Sequence, residues 1–517
     1  MPELLLMFIL ALTPIIWLVI ALIALKQEAW LASLEAMVVG IVVAMVFWHM
    51  EPMNVATAAL EGCLFALWPI VIVIIAAVFT YNLTVCTHAM DTIKRMLTSV
   101  SSDRRVLTLL IAWCFGNFME GMAGFGTAVA IPASMLMALG IDPITSILAC
   151  LIANGVPTMF GSIGIPTTTL ASITGLVETD LAFMQALQVL PFVIACPILM
   201  VMLVGGGPKA LKGVLPITLV AGISFALPEI IAAKFIGAAL PDVVGAVCSL
   251  VLTFLMAMKM KGTPVPESER LKVAAGRGDT STKEALVAWS PFILIFVVLL
   301  LTSSLVPFIQ QPLSSIATKV QVYSGENPAT LTFTWINTPG VLILICGIIG
   351  GFIQGCPIRE MLSVLGGTVK QMSKTIVTML GVLSVAKIMG YSGMITSIAT
   401  FFVTSLGGLY PLVAPLLGAI GTFVTGSGTS SEVLFGNVQL EAARSIGVSE
   451  LWLVASNSLG ISAGKMISPQ NIAIGCASCD LQGKDGEILG KIAPYAAAYV
   501  VLMMAMIYVG TLMGVGM

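Results

Sequence analysis

The feature that most restricts this chain is the recurrence of apolar runs about twenty residues long, such as 4–25 and the stretch around 291–301. A helix needs that length to cross a hydrocarbon core of roughly 30 Å, because in lipid every backbone N–H and C=O must be satisfied within the protein. Strands of an outer-membrane barrel would instead alternate apolar and polar residues over about ten positions. The charge content agrees: 58% of the 517 residues are hydrophobic and 9% are charged, where a soluble chain carries about 25% charged residues. Too few charges remain to cover a water-facing surface. Disorder, a secreted disulfide scaffold and a nucleic-acid-binding domain are excluded together, since a net charge of −2 offers no basic face to a polyanion. The expected class is an all-α integral membrane protein. No basic residue precedes the run at 4–25, which is too long for a signal-peptide core, so it is expected as a retained first span.

Hydropathy places spans near 3–25, 30–49, 64–86, 183–204, 214–232, 236–258, 287–308, 339–356, 373–391 and 494–516. Regions 106–178 and 394–480 are also apolar but are broken by Gly, Pro, Ser, Thr and Asn. Residues 259–285 carry ten charged side chains with Pro264 and Pro266. That stretch reads as a flexible cytoplasmic linker between an N-terminal membrane half, 1–258, and a C-terminal one, 286–517. Lys and Arg gather in the loops Lys94 to Arg105, Lys209 with Lys212, the linker, Arg359 to Lys374, and Lys484 with Lys491. Placing these loops in the cytoplasm puts both termini outside. The first broken region is then approached from the cytoplasm and the second from outside.

The two broken regions resemble each other. Gly116-Asn-Phe-Met-Glu-Gly121 and Gly421-Thr-Phe-Val-Thr-Gly426 share G-x-F-x-x-G, and Asn154, Gly161 and Pro166 match Asn457, Gly464 and Pro469 at identical spacing. Similar sequence approached from opposite sides implies an inverted repeat, an arrangement found in many secondary transporters. Between Arg105 and Gly140 there is room for two helices of about 13 residues, each roughly 20 Å long and too short to cross. The expectation is about 12 transmembrane helices plus two re-entrant hairpins whose tips meet near the midplane.

Glu120 lies in an apolar setting, and an intramembrane carboxylate marks a functional site by default. As a charge it is costly to desolvate, and taking up a proton removes that cost. The structural alternative is a carboxyl bonded to the hairpin's free N–H groups. Gly121, Gly124 and Gly126, followed by Thr127, allow a tight turn whose N–H groups can face an anion, or else allow close helix packing. Thr425-Gly-Ser-Gly-Thr-Ser-Ser-Glu432 supplies the hydroxyls of Thr425, Ser427, Thr429, Ser430 and Ser431 with one carboxylate, Glu432. That acid is either a second buried acid or the exposed start of a polar turn. Asn154 with Pro166 and Thr167, and Asn457 with Ser468, Pro469, Gln470 and Asn471, mark two discontinuous helices whose N–H groups can receive an anion. Lys465 is placed to neutralise a substrate carboxylate or Glu432, or to form a structural ion pair. Lys387 is expected to snorkel outward. Cys476 and Cys479 form a lone C-x-x-C without a thioredoxin-like pattern. No metal-ligand cluster, cofactor motif or catalytic triad is apparent in the sequence, so an enzyme has little to stand on.

These residues resemble the bacterial L-lactate permeases, a family that includes glycolate permeases. Leu67-Trp-Pro-Ile70 with Ala76-Ala-Val-Phe79 looks like the family's third span. Glu120-Gly-Met-Ala-Gly-Phe-Gly126 is similar to its E-G-A-A-G-F-G, and Phe160-Gly-Ser-Ile-Gly-Ile-Pro166 to its F-G-A-M-G-I-P. Gly464-Lys-Met-Ile-Ser-Pro-Gln470 with Ile472-Ala-Ile474 looks the same as its G-K-M-I-S-P-Q stretch. Two stretches depart. The family's T-G-S-D-T-S-S-N becomes a run with Gly428 for the Asp and Glu432 for the Asn, and Asn82 replaces a Lys.

The resemblance implies import of L-lactate, D-lactate or glycolate with protons, through a multi-pass protein of the bacterial inner membrane. In that scheme Glu120, with Glu432, serves proton coupling, and half-helix N-termini and hydroxyls hold the carboxylate. The hairpin-bearing halves would move together against a scaffold of the other spans. Importing a monoanion against a negative-inside potential costs about 2.3 kcal/mol per 100 mV, and one accompanying proton removes that cost. Sodium-coupled carboxylate transport is the alternative, followed by a facilitator. By analogy with other hairpin transporters, a homodimer is also expected.

Overall fold

The computed structural model describes residues 2–516 except 26, 123, 125, 261–263, 272–280, 304, 327, 329 and 482–483. The chain is built almost wholly from helices. The first group is α1 (Pro2–Val19), α2 (Ala29–Phe47), α3 (Pro52–Phe65), α4 (Ile72–Cys86) and α5 (Ala89–Thr98). The first broken region follows as α6 (Arg104–Thr108), α7 (Gly116–Met122), α8 (Thr127–Ala138), α9 (Pro143–Gly155) and α10 (Gly161–Thr174). Next come α11 (Glu178–Val204), α12 (Leu215–Phe235), α13 (Pro241–Lys259), α14 (Thr282–Leu301) and α15 (Pro307–Ser315). A two-stranded antiparallel sheet, β1 (Ala317–Gln321) with β2 (Thr330–Thr334), precedes α16 (Pro339–Ile353), α17 (Ile358–Ser392) and α18 (Met394–Leu406). The second broken region is α19 (Tyr410–Thr425), α20 (Gly428–Ile446), α21 (Glu450–Ile467) and α22 (Pro469–Ser478), and α23 (Asp485–Leu512) closes the chain.

Among the described residues ten helical segments are long and apolar enough to cross a membrane, or eleven if the bent pair α9–α10 counts as one span. The expectation of about 12 is therefore reduced. The run at 339–356 yields only the 15 residues of α16, and 394–423 passes as a single apolar stretch. Helix starts follow local chemistry. Proline opens α3, α9, α12, α13, α16, α19 and α22, where a missing N–H costs nothing. Asp103, Asp142, Ser427 and Ser449 cap α6, α9, α20 and α21 through their side chains.

Two packing groups result. In one, α17 runs along α2 and α3 while α4 lies on α16, which also packs on α14. In the other, α11, α12 and α13 pack in sequence, and α19 crosses α21 closely. The α10·α20 contact belongs to the second group, and α17·α20 joins the two. The span containing α3 and α4 is interrupted at Trp68, whose backbone is extended (φ −138°, ψ 118°). A proline follows it, and the residue before proline is driven out of the helical region.

Residues 269–271 of the 259–285 stretch are docked. Leu271 N–H donates to Ser102 O at 3.0 Å, and Arg270 pairs with Asp103 through the backbone as an isolated antiparallel β-bridge. The Glu269 carboxylate takes the Arg104 guanidinium at 2.8 Å, while the buried Arg105 holds Asp103 at 2.7 Å. The stretch expected as a flexible linker is thus tied to the base of the first broken region. Residues 261–263 and 272–280 of the stretch lie outside the described set.

Candidate functional site

The first broken region climbs from Arg104 to Met122 as continuous helix, α6 and α7 joined by the π-helical turn Leu109–Phe115. At about 28 Å for these residues the rising arm is longer than expected. The chain then reverses at Gly124 (φ +60°) and Gly126 (φ +83°), and α8 folds back along α7. A β-carbon on Gly116 would lie 3.5 Å from Ala128 O and Pro132 Cγ. In the second region α19 and α20 reverse at Gly426 (φ +69°), and Gly421 faces Ser431 and Phe435 across the arms. The first glycine of each G-x-F-x-x-G motif is therefore where the two arms touch.

The hairpin glycines serve packing. Gly124 faces Ser162, Gly126 faces Ile474, and Gly121 faces Val243 and Asp242 of α13. The Gly124 N–H donates to Met119 O and the Thr127 N–H to Gly124 O, so neither is left for an anion. Thr127 Oγ1 also donates to Gly124 O. At Gly121, Gly124 and Thr127 these contacts favour close packing, the alternative to an anion cradle.

Glu120, at the top of α7, is 2% exposed. Its carboxylate accepts from Asn154 Nδ2 at 2.7 Å and from Thr158 Oγ1 at 3.1 Å, and it forms an ion pair with Lys465 of α21. The Lys465 ammonium also donates to Thr158 Oγ1. Thr158 sits in the short 3₁₀ turn between α9 and α10, where the two helices bend by 67°. There Ser162, Ile163 and Gly164 are all left-handed (φ 49°, 57° and 70°), a strained run for the two non-glycine residues, β-branched Ile163 above all. Close packing explains the neighbouring glycines: a β-carbon on Gly161 would lie 2.3 Å from Glu120 Oε1, and one on Gly164 would lie 2.0 Å from Ala238 O.

Lys465 thus neutralises Glu120, not Glu432. Glu432, on the returning arm α20, is fully buried rather than the exposed start of a turn. It accepts from Asn457 Nδ2 at 2.7 Å and from Ser458 Oγ. Ser458 in turn receives Gln185, whose other side-chain atom accepts from Thr167 at 2.7 Å. Each acid is held by the asparagine of the helix that follows its hairpin.

The remaining candidates divide. Ser427 caps α20, while Thr425 and Ser431 donate to Gly421 O and Gly418 O at 2.7 and 2.8 Å. Asn471 Nδ2 donates to Lys465 O, Pro166 lies beside Gly428, and Thr429 is half-buried. Gln470 is exposed and abuts the Gly426 turn. Ser430 and Ser468 are buried with hydroxyls that have no partner among the described residues, each at the start of a helix, α20 and α22. Donors in that position suit an anion. The departures from the family pattern also find places. A side chain on Gly428 would meet Ile461 at 2.9 Å, so a carboxylate has little room there, and Glu432 supplies one a helical turn later. Asn82 bonds Thr368 and Gln371 of α17 at 2.9 Å each.

Sequence reasoning missed several groups. Lys387 does not snorkel but pairs at 2.7 Å with the fully buried Glu61, which Tyr391 also bonds. An outward lysine would strand that carboxylate. Asp242 and Glu229, both buried, were passed over. The signal that flagged Glu120, a lone acid in an apolar span, applies to Glu229. Among the described residues no group of three or more His, Cys, Asp or Glu is placed to hold a metal, and all ten cysteines, Cys476 and Cys479 included, are free thiols.

The chain superimposes on the solved Neisseria gonorrhoeae MtrF, described as one of a class of antimetabolite efflux pumps, with a TM-score of 0.51 at 13% identity over 93% of this chain and 95% of that one. That likeness speaks for a shared fold. An L-lactate permease of Streptococcus iniae is 42% identical over 87% of this chain and 94% of its own length. An Escherichia coli L-lactate permease is 32% identical (92% and 90% covered), and the E. coli glycolate permease GlcA is 33% identical (92% and 91%). The sequence profile of the L-lactate permeases matches residues 7–513. This chain, a multi-pass membrane permease, belongs to the L-lactate permease family.

Proposed function

We propose that this permease imports L-lactate and related small 2-hydroxy monocarboxylates, D-lactate and glycolate among them, by proton symport across the bacterial inner membrane. The observation that carries the reading is the buried Glu120–Lys465 ion pair at the break between α9 and α10. In the empty site the pair is neutral. When Glu120 takes a proton, Lys465 loses its counter-charge and is free for a substrate carboxylate, so the loaded site is neutral again. A proton alone, or an anion alone, leaves a net charge in a dry interior, at a cost of several kcal/mol. Coupling follows from that penalty: only the empty and the doubly loaded sites can cross. The unpartnered hydroxyls of Ser430 and Ser468 are suited to the substrate's carboxylate and 2-hydroxyl.

The α7–α8 and α19–α20 hairpins are, in this reading, the re-entrant elements of an inverted repeat. They are carried by halves 1–258 and 286–517 and joined through 259–285. Support comes from their crossed contacts: the first tip meets α10 and α22, and the second meets Gln470, Pro166 and Ile461. The unit they form would move against the group around α17.

The test is uptake of labelled L-lactate into proteoliposomes under an imposed inward proton gradient, with D-lactate, glycolate, pyruvate and succinate as competitors. Accumulation should collapse with a protonophore. Glu120→Gln should lower gradient-driven accumulation by about a hundredfold. Undiminished accumulation by that variant would sink the proton role, and uptake driven by a sodium gradient at clamped pH would replace the proton with sodium.

A further inference from the structure

The Glu120–Lys465 pair leaves one neighbouring acid unused. Asp242, in the first turn of α13, is 1% exposed, and neither carboxyl oxygen has a hydrogen-bond partner among the described residues. It lies against the hairpin at the residue next to Glu120: a β-carbon on Gly121 would sit 3.2 Å from Asp242 Oδ2. The charged groups facing it are Glu120 of α7, Glu229 of α12 and Lys465 of α21. Close by, Glu178 of α11 accepts the Ala238 N–H at 3.0 Å.

A second observation comes from the opposing helix. Asn117 is fully buried on α7, one turn below Gly121, and both atoms of its amide lack a partner among the described residues. One turn lower again, Cys114 Sγ meets Ser249 Oγ of α13 at 3.3 Å, with the buried Thr253 hydroxyl turned to the same thiol. Gly121 against Asp242 and Cys114 against Ser249 set the register of the two antiparallel helices, with Asn117 between them. Unsatisfied polar groups are expensive to bury and are normally partnered by protein or by water. A seam carrying a carboxyl and an amide in that condition is suited to water and to a mobile proton.

We propose that Asp242 is the proton-carrying partner of Glu120: it holds a proton while Glu120 is ionised against Lys465, and passes it to Glu120 through water in the α7–α13 seam. The step breaks one O–H bond at Asp242 and forms one at Glu120. Asp242 then recovers a proton that enters from the bathing solution through the same seam water. This rests on the proton-symport reading above and adds the group through which Glu120 is loaded.

The test uses the full-length protein in proteoliposomes with two readouts. One is L-lactate exchange with lactate on both sides, which needs no net proton movement. The other is accumulation under an inward proton gradient, read together with acidification of the lumen by a trapped pH dye. Asp242→Asn, the shape of the protonated acid, should keep exchange and lose accumulation and acidification by about a hundredfold. Wild-type behaviour in both readouts overturns the proposal, as does equal loss of both with an unchanged unfolding temperature. Should Asp242→Asn fold poorly, Asn117→Leu decides. Removing an unpartnered amide is no burden to stability, so slowed accumulation with intact exchange supports the seam, and unchanged accumulation overturns it. Wild-type protein that accumulates lactate only on a sodium gradient fails the symport reading itself, and this proposal with it, whatever the variants do.

Discussion

Lys465→Met should cost about 3–5 kcal/mol of stability and abolish lactate accumulation, the former because it strands an ionised carboxylate in a dry site. The carboxylate would keep Asn154 and Thr158, but those are neutral donors, and its only cationic partner in the described structure would be gone. Adding Glu120→Gln to the same chain should return stability to within about 1 kcal/mol of wild type, since removing both members of a buried pair is often close to neutral. Transport should stay absent in the double variant, because no group is left to exchange a proton for a substrate carboxylate. Thermal unfolding in detergent and uptake in proteoliposomes measure the two effects separately. A single Lys465→Met variant as stable as wild type would mean that the ion pair carries no charge in the folded protein.

Gly460→Ala should lower stability by about 3 kcal/mol, the upper end for adding one methyl to a close-packed contact, and should depress transport with it. A β-carbon there would sit 1.9 Å from Pro415 O of α19, and one at Gly464 would sit 2.2 Å from Ala419 O. From the other side, a β-carbon on Gly418 would reach within 2.1 Å of Asn457 O. These are backbone atoms, so relief requires the helices to separate, as expected where small residues let helices touch. Separation would carry Asn457 and Ser458 away from Glu432 or strain their bonds, and would shift Lys465 relative to Glu120. Gly366→Ala on α17 is the matched control. No heavy atom lies within 4 Å of its added carbon, so alanine there should be neutral or stabilise by up to about 1 kcal/mol through helix propensity. Equal unfolding temperatures for the two variants would refute the close-crossing account.

The membrane class, most of the spans and the positions of Glu120, Asn154, Asn457 and Lys465 were legible because each breaks an apolar pattern. What was not legible is who meets whom. Lys465 is nearer in sequence to Glu432, yet the bend between α9 and α10 brings Thr158 and Glu120 to it. Motif alignment sets Glu120 against Thr425, while the acid of the second hairpin lies on the returning arm. The chain reverses directly after Gly426 there, but only at Gly124 in the first hairpin. Asp242 follows a proline at a helix start and so reads as an ordinary end-of-span acid. Only burial against Gly121 sets it apart. The short sheet at Ala317–Gln321 and Thr330–Thr334 falls between the spans at 287–308 and 339–356, where hydropathy assigns no element, although Thr-Lys-Val-Gln and Leu-Thr-Phe-Thr have the alternation of strands.

Glu120 and Lys465 are 345 residues apart. At bacterial synthesis rates of about 5–20 residues per second, the carboxyl leaves the ribosome roughly 20–70 s before its counter-ion exists. Throughout that interval the growing polypeptide must shelter an acid that lipid does not tolerate as an anion. The nascent first hairpin should therefore wait in contact with water, an insertion factor or a protonated state of its own. Premature termination anywhere between the two residues would leave a product with an orphaned intramembrane acid, a feature that membrane quality-control proteases could recognise.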